Sequence, residues 1–175
     1  MTPASPVRLR DARPADAAAI ADLNVRAWKA SFAGLVPEAL LEGQRAEARE
    51  RYFAEHLPST PPMRTWVAER DGRVIGFTHL GPSRDPDAPE AAEIYGMYAA
   101  PEAVGTGAGR ALMEAALAWF RSGPWAEAIL WTLPGDHRAA RFYRAWGWAL
   151  DGAAKTGHTP LGDLDEIRYR IALHP

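Results

Sequence analysis

The chain has 175 residues, 47% of them hydrophobic, and a formal net charge of −2 from 20 Lys and Arg against 22 Asp and Glu. That length suits one domain, residues 1–175, able to bury roughly two thirds or more of its unfolded surface. Balanced charge without a block of one sign gives no footprint for nucleic acid or an anionic membrane, and the lack of cysteine excludes disulfides, thiolate zinc sites and a Cys nucleophile. The five histidines show no short ligand spacing, so no metal is expected. The N-terminus has no apolar leader, and no stretch approaches the ~18 apolar residues of a membrane span, so a cytoplasmic setting is expected.

In chain order, "VRLRDA" alternates apolar and polar and reads as a strand. Pro14 and Asp16 then suit the start of a helix whose Ile20, Leu23 and Ala27 recur at helical spacing up to Trp28. A second helix, about residues 37 to 56, has a charge run that reads as a solvated face. "TWVAERDGRVIGFTHL" is two strands joined by the tight-turn pair Asp71-Gly72. Gly81 to Pro89, with three prolines, is a loop, and "AEIYGMYA" a strand ended by Pro101. From Arg110, Leu112, Ala115, Ala116, Trp119 and Phe120 follow core-facing helical spacing. "AEAILWTL" is a buried strand; Ala139, Phe142, Tyr143 and Trp146 mark a last helix closed by Gly147, and "WALDG" and "DEIRYRIAL" are closing strands. The order predicts a mixed α/β (α+β) domain, helices flanking a mostly antiparallel central sheet.

Between a strand and a helix lies "EAVGTGAGRALM", with glycines at 105, 107 and 109. A Gly-rich turn at a helix N-terminus offers free N–H groups and the positive end of a dipole to an anion. The spacing G-x-G-x-G is not the dinucleotide fingerprint G-x-G-x-x-G, and no Gly-Lys-Ser/Thr completes a P-loop. By themselves the glycines leave a plain tight turn and a phosphate cradle equally open.

Some thirty residues later comes "DHRAARFYRAWGW". This pair of segments resembles the GNAT superfamily of N-acetyltransferases, whose motifs are Q/R-x-x-G-x-G/A and N-x-x-A-x-x-F-Y-x-x-x-G-F. "RPAD", "RAWKASFAGLVP" and "VAERDGRVIGF" extend the likeness over most of the chain. The resemblance implies the GNAT fold and acetyl-CoA as co-substrate. Its diphosphate would rest on Gly105, Thr106, Gly107, Ala108, Gly109 and Arg110, and its pantetheine would pair with Met97, Tyr98 and Ala99. Two positions depart from the pattern: Val104 replaces the opening Gln or Arg, and Asp136 replaces the Asn. Asp136 accepts a hydrogen bond from pantetheine but cannot donate one as an amide would.

The resemblance makes Tyr143 the acid beside the thioester sulfur and Glu93 the base for the amine; packing of the last helix and a strand-edge charge are their structural alternatives. Trp28 and Phe32, with Pro37, are expected to line the acceptor pocket or simply to pack α-helices, and His79 to be a hydrogen-bonded core or rim residue. The acceptor is a small-molecule or peptide amine, and a homodimer is common in such proteins. The expected activity is direct N-acetyl transfer in a ternary complex. Its alternatives are another acyl group or a hydroxyl acceptor, and a non-catalytic acyl-CoA-binding sensor.

Overall fold

The computed structural model describes residues 5–159 and 162–174. Its strands are β1 (Arg8–Asp11), β2 (Arg64–Arg70), β3 (Arg73–Pro82), β4 (Ala92–Ala99), β5 (Glu127–Thr132), β6 (Ala149–Thr159) and β7 (Gly162–Ala172). Its helices are α1 (Ala17–Phe32), α2 (Glu38–Glu42), α3 (Ala46–His56), α4 (Ala108–Ser122) and α5 (His137–Ala145). The strands form one sheet in the order β1-β2-β3-β4-β5-β7-β6, antiparallel throughout except for the parallel pair β4–β5.

Local chemistry sets most of these boundaries. Asp71 and Gly72 both take positive φ, at 51° and 73°, turning β2 tightly into β3. Pro14–Asp16 makes one 3₁₀ turn before α1, and Asp16 reaches back to accept from the Arg13 N–H at 2.7 Å. The predicted helix over 37 to 56 is two helices, parted at Gly43, a poor helix former, while Gln44 bonds back to the Leu40 carbonyl. Of the residues of α3 only Phe53 is buried, so its charge run does face solvent. Helix α4 begins at Ala108, two residues before the periodicity does. Both closing strands are longer than their apolar patterns, because a polar stretch from Ala153 onward continues the β6–β7 ladder.

Two cores sandwich the sheet. On one face α4 buries Leu112, Met113 and Phe120 against Leu80, Ile94, Leu130, Trp148 and Tyr169. On the other, Ile20 and Leu23 of α1 and Phe53 of α3 cover Val67 and Phe77. Each such side chain contributes about 1.5–3 kcal/mol when removed from water.

Beyond α1, the sheet is stitched by charge. Arg168 spans Asp85 and Asp151, each at 2.7 Å, with under a tenth of its side chain exposed. Asp151 also meets Arg170 at 2.9 Å, and Arg170 pairs with Glu127. This chain ties the loop after β3 to the β6–β7 hairpin. Arg168→Met strands the buried Asp85 carboxylate and leaves Asp151 to Arg170 alone, and is expected to cost about 3–5 kcal/mol in urea unfolding. At the other edge Arg10 forks onto both oxygens of Asp16, holding its carboxyl below the usual carboxylate range. A depressed folded-state pKa stabilises above the unfolded value, about 3.9, and that support is lost as pH falls through and below it. Thermal melts from about pH 5 down to pH 3 should therefore fall more steeply for wild type than for Asp16→Asn.

Candidate active site

The parallel pair is short. Only Ala92↔Ala128, Glu93↔Ile129 and Ile94↔Leu130 are in register, after which β4 stays with β3 and β5 with β7. The β3–β4 register shifts there, His79 opposing Gly96 and Leu80 opposing Ile94, so Tyr95 is an extra residue in β4. A bulge bends the strand that carries it. Past this fork, the β4 edge from Tyr95 to Ala99 has no strand partner on the β5 side. A cleft of about 450 Å³ opens in the gap, walled by β4, α1, α5 and the start of α4.

At one end lies the glycine loop. Gly105 and Gly107 hold φ of 79° and 98°, and Gly107 is the N-cap of α4. Ala111 is the first to bond back, to Gly107, leaving the N–H groups of Gly107, Ala108, Gly109 and Arg110 without a backbone acceptor among the described residues. A Cβ at 105 or 107 would meet nothing within 4 Å, so the approach to these amides is open. Thr106 is spent internally: its N–H and hydroxyl go to the Ala103 carbonyl, and its own carbonyl accepts from Arg70 at 2.8 Å. It braces the loop and, unlike the other loop positions named for the cofactor at 105, 107, 109 and 110, does not line the cleft. Ala108 is buried in the core, its side chain away from the cleft. Arg110 is exposed and pairs with Glu114 at 2.9 Å.

Helix α5 brings the second motif to the opposite wall. Asp136 caps it, Oδ1 accepting from the Ala139 N–H at 2.9 Å, and lines the cleft. Tyr143 lines the cleft edge-on to Trp148, and its hydroxyl has no hydrogen-bond partner among the described residues. Burial, then the nearby Tyr98 and Asp136, push its phenol above the ordinary tyrosine value. Met97, Tyr98, Ala99, Gly105, Gly107, Gly109, Arg110, Asp136 and Tyr143 thus share one cleft. Trp28 and Phe32, edge to face at 4.7 Å, join it from α1 and pack on Leu133, whereas Pro37 does not line it.

Glu93 lies apart. Its Oε1 meets Arg84 Nη2 at 2.8 Å and its Oε2 accepts from the Arg84 N–H at 2.7 Å, in a smaller cavity beyond Trp131. Both oxygens are occupied, so the expected base is an anchor of the loop after β3. His79 is bound to Thr65 Oγ1 at 2.7 Å; desolvation, then Arg84, lower its pKa to about 4 and keep it neutral. Sequence reading missed Arg138, which reaches from α5 to Ser31 of α1 at 2.7 Å beside the cleft, and Glu166 of β7 in its wall. Their only sequence signal is charge in short polar stretches.

The profile of the acetyltransferase (GNAT) family matches residues 23–148. The chain belongs to this family, and its activity class is acyl transfer. A probable N-acetyltransferase of Mycobacterium tuberculosis is 28% identical over 95% of this chain and 94% of its own length. Among solved structures, a GCN5-related N-acetyltransferase from Rhodopseudomonas palustris aligns with a TM-score of 0.78 at 23% identity, covering 98% of this chain and 99% of that one. The PaiA N-acetyltransferase of Thermoplasma acidophilum, in complex with coenzyme A, aligns with a TM-score of 0.74 at 18% identity over 92% and 98%. No helix among the described residues is long and apolar enough to cross a membrane.

Backbone conformation separates the glycines. Gly107→Ala forces a side chain into positive φ and is expected to weaken coenzyme A binding about tenfold in calorimetry, with a thermal-stability loss of ~1 kcal/mol. Gly109→Ala, whose new carbon would sit 3.6 Å from the Phe142 ring in ordinary contact, should leave the melting temperature unchanged.

Proposed function

We propose that this protein transfers an acetyl group from acetyl-CoA to a primary amine, directly and within a ternary complex. The observation that carries the reading is a single cleft holding both a row of main-chain N–H groups and a tyrosine hydroxyl that have no partner among the described residues. When bound, acetyl-CoA supplies the thioester carbonyl.

The residues present fit that ligand. The amides of Gly107 to Arg110 converge on the positive end of α4 and suit a diphosphate, and Arg110 can exchange its exposed Glu114 partner for phosphate. The open edge of β4 at Met97 to Ala99 can pair with the amides of pantetheine as an added strand would. Asp136 keeps one oxygen for a pantetheine N–H. Val104 offers no charge, so main-chain groups carry most of the phosphate binding.

Tyr143 faces the leaving sulfur in this reading. Its raised pKa lies above a thiol's, near 8.5, so it donates a hydrogen bond to the developing thiolate and keeps its proton until solvent neutralises the sulfur. An alkylamine with a pKa near 10.4 is neutral about once in 10³ molecules at pH 7. The apolar wall of Trp28, Phe32 and Leu133 strips water from the ammonium and favours the neutral nucleophile. Glu93 we assign to positioning, since Arg84 holds both its oxygens. With no cysteine in the chain, direct transfer draws its acceleration from juxtaposing two bound substrates.

Tyr143→Phe should lower kcat about 10²–10³-fold while leaving coenzyme A affinity within about twofold. Thiol release across a panel of amines and alcohols, beside calorimetry, checks this. Saturable binding without release to any acceptor would leave only the sensor reading, and release to alcohols alone would make the enzyme an O-acyltransferase.

A further inference from the structure

Of the twenty basic residues only two are lysines, Lys29 and Lys155. Neither lysine lines the cleft itself: Lys29 is exposed in the last turn of α1, whereas Lys155 lines the smaller cavity with Arg84, Glu93 and Trp131, the tryptophan being shared with the cleft. Lys155 stands on β6 opposite Glu166 of β7. Its Nζ lies 4.0 Å from the centroid of the Trp131 ring and 3.6 Å from Glu166 Oε2. Trp131 and Glu166 both line the cleft. Trp131 is also the first residue of β5 beyond the last rung with β4, so it stands at the fork. An aromatic face and a carboxylate together make a subsite for an ammonium group. Here the chain's own primary amine fills it.

The hold on that amine is slight, because Lys155 is about half exposed and the ion pair is long. Its four-carbon stem is flexible, and both of its contacts, the Trp131 ring and the Glu166 carboxylate, belong to residues of the cleft wall. An arginine would serve the ring and the carboxylate as well, but only a lysine is a nucleophile that accepts an acyl group.

Resting on the function proposed above, we infer that Lys155 is a self-acetylation site of this enzyme. Unprotonated Nζ attacks the acetyl carbonyl carbon, the C–N bond forms as the C–S bond breaks, and the proton shed by nitrogen balances the one taken by sulfur. The products are Nε-acetyl-lysine and free coenzyme A, with no other reactant. Acetylation removes the positive charge from Trp131 and leaves Glu166 facing the cleft without its lysine.

The test is peptide mass spectrometry of the full chain incubated with acetyl-CoA, reading the acetyl mass at Lys155 against Lys29. Labelling of Lys155 at least about tenfold faster than Lys29 is expected, from proximity. Its rate should not change on dilution of the protein, and should fall in Tyr143→Phe and in urea. Lys155→Arg should remove that label while thiol release to small amines and coenzyme A affinity persist. Equal labelling of the two lysines, or labelling that survives urea, would mean unassisted chemical acetylation and overturn the inference. An unlabelled Lys155 in protein that still releases thiol with external amines sinks the inference alone. Absence of both saturable coenzyme A binding and thiol release sinks the underlying function, and the inference with it.

Discussion

Tyr95 is one residue too many for β3 to oppose, and the bend it gives β4 is what the site depends on. Had the ladder continued past Ile94 and Leu130, the edge from Tyr95 to Ala99 would be spent on β5. The gap instead leaves main-chain donors and acceptors of β4, in the middle of a sheet, without a strand partner on that side. The glycine loop, α5 and the aromatic pair of α1 then each contribute to a space that already exists.

The charges near this gap are mostly committed to keeping it in shape. Glu93 fastens Arg84, Arg168 gathers Asp85 and Asp151, and Arg170 joins Asp151 to Glu127. These pairs hold the loop after β3 and the C-terminal hairpin around Trp131. The charged side chains in the cleft wall are few: Arg110, Asp136, Arg138 and Glu166. Such a surface binds by shape and main-chain geometry more than by side-chain charge.

Elements governed by local chemistry were legible in the sequence. The Asp71-Gly72 hairpin, α1, α4 and α5 follow from turn residues and helical spacing, and the glycine and "FY" motifs marked two walls of the cleft. What escaped depends on side-chain pairings that no residue spacing announces. Nothing around Glu93 announces that Arg84 will claim both its oxygens, nor around Thr106 that Ala103 and Arg70 will occupy it. The extent of β6 and β7 was hidden because a polar, glycine-bearing ladder lacks the alternation by which strands are recognised. Gly43 broke a helix that the surrounding Glu, Arg and Leu alone would have continued.

Three parallel rungs join β1–β4 to β5–β7. The sheet is in effect two antiparallel halves sharing a short suture, each with its own ladders. Helix α4 closes that suture from one face, its Leu112, Met113 and Phe120 sharing one core with Leu80 and Ile94 of the first half and Leu130, Trp148 and Tyr169 of the second, so the fork is held open at a set angle by packing as well as by its three rungs.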